Sequence, residues 1–349
     1  MRVLVTGHQG YIGSLLAPMV TAAGHEVVGL DAGWFRHCRF PAAVPAPPVD
    51  ELRRDFRDVR REDLEGFDAV LHLANLSNDP LGDLDPSLTR EINDHASLRL
   101  ARLAKEAGVE RFLFSSSCSC YGAGGDEFRD EDSELHPVTA YGQAKIAVER
   151  GLAKLADDRF SPVSLRNATA YGVSPFLRLD LVLNNLVAWA MTTGRVKLLS
   201  DGTPWRPIVH IEDIARTFVA LLEAPRERIH GQAFNVGRGS ENYRIRELAE
   251  IVAATVPGST VEIAADASPD ARTYRVDCGR LERAFPDLRL TWDARRGAQE
   301  LFAAYREAEL VLEDLQGPTY SRLGAIRRLL AAGDLTPDLR WAGGRTRLA

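Results

Sequence analysis

A doubly wound α/β fold, a parallel sheet covered by helices on both faces with a smaller α/β domain after it, is what this sequence predicts. Three observations carry the expectation. Short, almost wholly apolar runs alternate with segments of helical period, as strands buried on both faces of a parallel sheet do. A glycine triplet, "GHQGYIG", stands at the first strand-to-helix turn. An acid, Asp31, ends the second apolar run.

The elements follow in chain order. "RVLVT" (2–6) reads as a strand, and "SLLAPMVTAAG" after the glycines has apolar residues at helical spacing. "HEVVGLD" is the second strand, and the Pro- and Ala-rich stretch 33–50 reads as a loop. "DAVLHLAN" (68–75) and "RFLFSSS" (111–117) are strands around a helix over 87–108, which Gly108 ends. A long helix over 139–156 precedes the strand "SPVSLRNA" (161–168). "PIVHIEDIARTFVALLEAP" reads as strand, turn and helix, and "QAFNVG" as a short strand. "YRIRELAEIVAAT" is an amphipathic helix, and 298–335 looks helical without a motif. The expected division gives residues 1–170 to the sheet domain, with 205–237 returning to it. Residues 171–204 and 238–349 form the second domain and a helical extension.

Composition excludes several classes. With 45% hydrophobic and 26% charged residues the chain reads as soluble and globular. A net charge of −6 argues against a nucleic-acid partner. No apolar run approaches a bilayer-spanning length, so no membrane partner is expected. The opening "MRVLVTG" is already a strand and a turn, so no targeting segment and a cytoplasmic location are expected. Cys118 and Cys120 lie two apart on what reads as a strand, hence on one face. They lack the second ligand pair that zinc wants, so the expectation is packed free thiols and no metal.

The glycine turn carries the first chemistry. Gly7, Gly10 and Gly13, with Tyr11 and Ile12 between them, let the backbone approach a pyrophosphate at a helix N-terminus. Asp31 falls eighteen residues after Gly13, where a carboxylate accepts hydrogen bonds from an adenine ribose. It would repel a 2′-phosphate, and Ala32 and Gly33 follow it rather than a basic residue, so NAD is expected over NADP. Asp58, with Val59 after it, is a candidate contact for the adenine amino group. Tyr141 and Lys145 in "YGQAK" share one helix face. An ammonium beside a phenol favours the phenolate, which makes Tyr141 a candidate base for a sugar hydroxyl.

Together "TGHQGYIG", Asp31, "HLAN", "FSSSCSCYG" and "YGQAK" resemble the extended short-chain dehydrogenases/reductases, the group of nucleotide-sugar epimerases and dehydratases. The resemblance extends over about residues 1–295 and takes in "WRPIVHIEDIA" and "AFNVG". It implies a Rossmann sheet, NAD, a nucleotide-diphosphate sugar as substrate and a homodimer. It makes Ser117 the hydroxyl that joins Tyr141 and Lys145 in a catalytic triad. Cys120 stands where an aliphatic residue is usual, while Cys118 and Ser119 occupy variable positions that touch substrate. Leu73 and Ala74 would lie along the cofactor, Ser115 would line its nicotinamide side, and Asn93 matches a helix Asn that supports the site. Thr169 stands where Asn is usual among the substrate contacts. Arg206 and Arg272 match two arginines that grip a nucleotide diphosphate, and Asn185 matches an amide near the pyrophosphate. Residues 76–84 and 174–181 would face the sugar. His72 and His210 lie inside apolar strands and read as packed side chains. The activity implied is a 4-epimerase, with a 4,6-dehydratase or 4-keto-sugar reductase as the nearest rival. An NAD-binding sensor or scaffold is the rival from another class.

Overall fold

A computed structural model describes residues 1–43, 48–198, 200–264 and 272–343. Its centre is a sheet of seven parallel strands. They are β1 (Arg2–Thr6), β2 (Glu26–Asp31), β3 (Asp50–Arg53), β4 (Ala69–His72), β5 (Arg111–Ser117), β6 (Ser161–Asn167) and β7 (Ala233–Val236). Their order is β3-β2-β1-β4-β5-β6-β7, which reverses direction beside β1. In such sheets the crevice at the C-terminal strand ends, where the order reverses, is the place for a ligand. The register brings Thr6 beside His72 and Ser117 beside Asn167, so the strands end together along that edge.

The apolar runs are strands because both faces of the sheet are covered. Val3, Leu4 and Val5 of β1 are fully buried, with side chains alternating between two separate cores. Helix α1 (Gly13–Ala22) packs with the helix Ile211–Glu223 on one face, and Ser97–Glu106 with Ala140–Leu155 on the other. The expected helix over 87–108 is one helical run interrupted by a π-helical segment, Arg90–Ala96. Strand β3 falls in and just beyond the stretch read as a loop. It is a half-exposed edge of sequence DELR, with no apolar alternation to reveal it. Part of that expected loop, 44–47, lies outside the described residues.

After β6 the chain builds a second set of layers. Thr169–Tyr171, Trp205–His210 and Asn242–Arg244 form a small sheet, and Arg195–Leu198 pairs with Thr260–Ile263. Helices Val182–Thr193, Ile245–Thr255 and Ala294–Glu307 close a third core around Tyr171 and Tyr305. Between these elements the chain returns to the large sheet, giving it the helix Ile211–Glu223 and edge strand β7. The C-terminal segment also returns. Ile326, Leu329, Leu335 and Leu339 bury against the core that holds Trp34 and Phe56, and Trp341 Nε1 donates to Ala32 O at 2.6 Å.

Candidate active site

A cavity of about 830 Å³ opens at the C-terminal ends of the strands and runs from the glycine turn to the small sheet. Its first wall explains the glycine spacing. Gly7 takes φ +76°, and a Cβ there would stand 2.9 Å from Ala74 N, on the neighbouring strand end. A Cβ on Gly13 would lie 2.1 Å from Gly7 O, so helix α1 can start against the turn only with glycine there. Gly10, Tyr11 and Ile12 complete this wall. Asp31 stands at its end, its carboxylate accepting from Gly33 N at 2.7 Å and Gln9 N at 3.2 Å. Leu73 and Ala74 line the cavity beside it, and Thr6 Oγ1 accepts from both their amides at 3.2 Å.

The expected triad meets on the next wall. Helix Ala140–Leu155 starts at Thr139, whose hydroxyl accepts from Gly142 N at 3.1 Å, and one turn in it carries Tyr141 and Lys145. Ser115 and Ser117 reach the same cavity from the end of β5. The Ser117 hydroxyl stands near that of Tyr141 and favours its ionised form. Burial pushes the Tyr141 hydroxyl well above the usual phenol range; the Asp79 carboxylate adds to this, while Ser117 and Arg178 oppose it. Lys145 Nζ donates to Ser115 O at 2.6 Å and to Asn75 Oδ1 at 2.5 Å, and lies 5.4 Å from the Tyr141 ring centre. Burial lowers this ammonium to about 7. The phenol is therefore neutral in the protein alone, and Lys145 does not by itself bring it into the physiological range.

Ser119, Thr169, Asn185, Arg206 and Arg272 also line the cavity. Asn185 Nδ2 donates to Leu179 O, and Arg206 Nη1 donates to Trp205 O, each at 2.8 Å. Arg272 pairs with Asp79 at 2.8 Å.

Four expected contacts are not brought to the cavity. Asp58 leaves the 3-10 turn Phe56–Asp58 on the outer side, 57% exposed and paired with Arg340 at 2.7 Å. Val59 is buried in the core. Asp55 and Phe56, three residues earlier, line the cavity instead. Both pairs are an acid followed by an apolar residue, so spacing alone did not separate them. Asn93 spends its amide on Leu76, accepting from its N at 2.8 Å and donating to its O at 2.9 Å. It holds the loop after β4 rather than a ligand. Cys118 turns away from the cavity because the strand stops at Ser117, which caps a 3-10 turn, Cys118–Tyr121. Its thiol donates to Arg166 O at 3.1 Å, and burial keeps it protonated. Cys120 is buried as well, and neither cysteine is in a disulfide.

The cavity also has residues that spacing did not single out. Asn75 is the last residue of the quoted "HLAN". Asp79 lies in the segment 76–84 and accepts from Thr139 Oγ1 at 2.7 Å. Arg178 and Asp180 lie within 174–181 and form a two-pronged pair at 2.9 and 3.0 Å. Arg322 comes from the C-terminal extension. The two histidines are structural. His72 bridges Thr6 and Ser97 at 2.8 Å each, and burial, then Lys145, lowers it to about 3. His210 Nδ1 caps the following helix by accepting from Glu212 N at 3.1 Å, and its ring stacks on Trp292.

Known proteins share this architecture. The chain is 28% identical to a UDP-glucose 4-epimerase of Bacillus subtilis (strain 168) over 331 residues, covering 87% of this chain and 95% of the relative. It is similar to MoeE5, solved in complex with UDP-glucuronic acid and NAD, with 28% identity and a TM-score of 0.74 over 88% of this chain and 100% of that one. It is likewise similar to DesIV, a dTDP-glucose 4,6-dehydratase from Streptomyces venezuelae solved with NAD and TYD bound. Identity there is 25% and the TM-score 0.74, over 88% of this chain and 97% of that one. The family model described as the NAD dependent epimerase/dehydratase family matches residues 3–237, the part that builds the glycine turn, β1 to β7 and the Tyr141–Lys145 helix. The chain belongs to the NAD-dependent epimerase/dehydratase family.

Proposed function

We propose that the chain is a nucleotide-diphosphate-sugar 4-epimerase in which Tyr141, Ser117 and Lys145 act on the C4 hydroxyl. The observation that carries the reading is the meeting of these three side chains with the glycine turn in one cavity whose carboxylates near Tyr141 are already engaged. Asp79 holds Thr139 and Arg272, and Asp180 is held by Arg178. Cys118 and Ser119, directly after Ser117, are not carboxylic acids. Elimination of water needs a free acid and a free base, whereas epimerisation needs one proton acceptor and donor. The similarity to a UDP-glucose 4-epimerase supports the same reading.

The residues present fit a dinucleotide. The turn at Gly7 and Gly13 is closed to any side chain, and Asp31 is presented at its end by two backbone amides. Gly10, Tyr11, Ile12 and Asp31 would hold the adenosine and phosphates, with Leu73, Ala74 and Ser115 farther along. Bound NAD supplies the hydride acceptor and donor. Tyr141 takes the proton from the sugar hydroxyl and returns it. Ser117, whose Oγ accepts from Ser119 N at 3.1 Å, donates to the phenolate as it forms. Lys145 contributes the positive charge beneath the phenol. Arg206 and Arg272, beyond Tyr141, suit the diphosphate of the sugar nucleotide, because guanidinium forks match phosphate oxygens.

Tyr141→Phe tests the assignment. Loss of a general acid–base should cut turnover by roughly a hundredfold or more while NAD binding stays unchanged. A fully active Tyr141→Phe enzyme would remove Tyr141 from the chemistry.

A further inference from the structure

Among the described residues, Arg322 is a buried cation with no ion-pair partner. It opens the helix Arg322–Ala331, beyond the residues matched by the family model, and it is 2% exposed. Its Nη2 donates to Phe176 O at 2.8 Å, but its Nη1 is buried with no hydrogen-bond partner. The guanidinium lies 4.5 Å over the Phe35 ring and against the Cys38 thiol. Among the described residues no carboxylate pairs with it; of the two nearby acids, Asp180 is taken by Arg178, and Asp31 accepts from the Gln9 and Gly33 amides. Burial lowers it to about 10, so it stays charged at neutral pH. A buried, unpaired charge is costly, and a bound anion would offset that cost.

The surroundings say which ligand. Arg322 lines the same cavity as Gly10 and Asp31, and Phe35 follows Asp31 by four residues. The segment is fixed there: Leu179 N donates to Tyr320 O at 2.9 Å, and Tyr320 stacks edge-on with Phe40 of the loop after β2. Arg206 and Arg272 approach the cavity from other elements, beside Tyr274. The anion at the Arg322 end therefore belongs to the dinucleotide rather than to the sugar nucleotide.

We propose that Arg322 binds the diphosphate of NAD, making the C-terminal helix a working part of the cofactor site. Titration calorimetry on the nucleotide-free, full-length chain tests this with NAD, ADP-ribose, adenosine, NADP and UDP. Arg322→Met should weaken NAD and ADP-ribose roughly ten- to hundredfold, the range for a charge-assisted hydrogen bond, and leave adenosine and UDP unchanged. The melting temperature of the nucleotide-free variant should not fall, because an unpaired buried charge has been removed. Unchanged NAD affinity, or equal weakening of adenosine and ADP-ribose, would overturn the proposal in favour of a packing role. Weakening of UDP alone would move the contact to the substrate, and loss confined to NADP would move it to a 2′-phosphate; each also overturns it. Should Arg322→Met not fold, Arg322→Lys keeps the charge but not the planar fork. A smaller ADP-ribose preference over adenosine in that variant supports the assignment, and an unchanged preference overturns it. A wild-type chain that bound no dinucleotide would overturn both this and the cofactor reading.

Discussion

Lys145 shows how burial sets chemistry at a single residue. Its ammonium is enclosed by Asn75, Ser115 O and the Phe114 ring, and among the described residues no carboxylate is hydrogen-bonded to it. The folded value of about 7 lies below the usual 10.5, so between these two the unfolded chain holds a proton that the folded chain has released. Stability of the nucleotide-free chain should therefore rise as pH increases from about 7 towards 10.5, a gain absent below 7 where both states are protonated. Lys145→Met should flatten that rise, and urea unfolding at pH 7, 8 and 9 compares the two chains. An equal slope in both would mean that Lys145 titrates normally. The same burial explains why Tyr141 waits on its ligands: the protein alone disfavours the phenolate.

At the scale of elements, the Tyr141 helix owes its start to one side chain. Thr139 caps it and also binds Asp79, tying the helix to the loop after β4. Thr139→Ala should cost about 1 kcal/mol of stability in urea unfolding, the usual loss for an N-cap. Thr139→Ser should restore it, and a Thr139→Ala chain of unchanged stability would mean the cap contributes nothing. Elements like this were legible to the degree that burial writes a period into the sequence. β1, β2, β4 and β5 read directly, because strands covered on both faces become largely apolar runs. β3 did not, since an edge strand needs no such run. Cys118 and Cys120 are the packed free thiols that the sequence leads one to expect, but not on a strand. Strand alternation would continue past Ser117, but that hydroxyl caps a 3-10 turn instead. Asp55 and Arg322 were hidden differently: one has a twin three residues on, and the other reaches the cavity from nearly three hundred residues after Asp31 through contacts that no local pattern records.

The proposed preference for epimerase over dehydratase belongs to the whole molecule, because it rests on which acids the two sets of layers leave free around one cavity. The large sheet brings Ser117, Tyr141 and Lys145, and the second set of layers brings Arg178, Asp180 and Arg206. Asp180 among these, and Asp79 from the loop after β4, are each paired with an arginine. An enzyme that moves only the C4 hydride exchanges nothing with solvent at C5 or C6. Elimination across those carbons removes the C5 proton to a base and expels the C6 hydroxyl with help from an acid. Incubation of the chain with NAD and a panel of nucleotide-diphosphate sugars in D2O separates the two by NMR. The expected product is the C4 epimer with protium retained at C5 and C6. Deuterium at either carbon, or a 4-keto-6-deoxy product, would require that Asp79 or Asp180 leaves its arginine during turnover, and the dehydratase would replace the epimerase as the activity of this site.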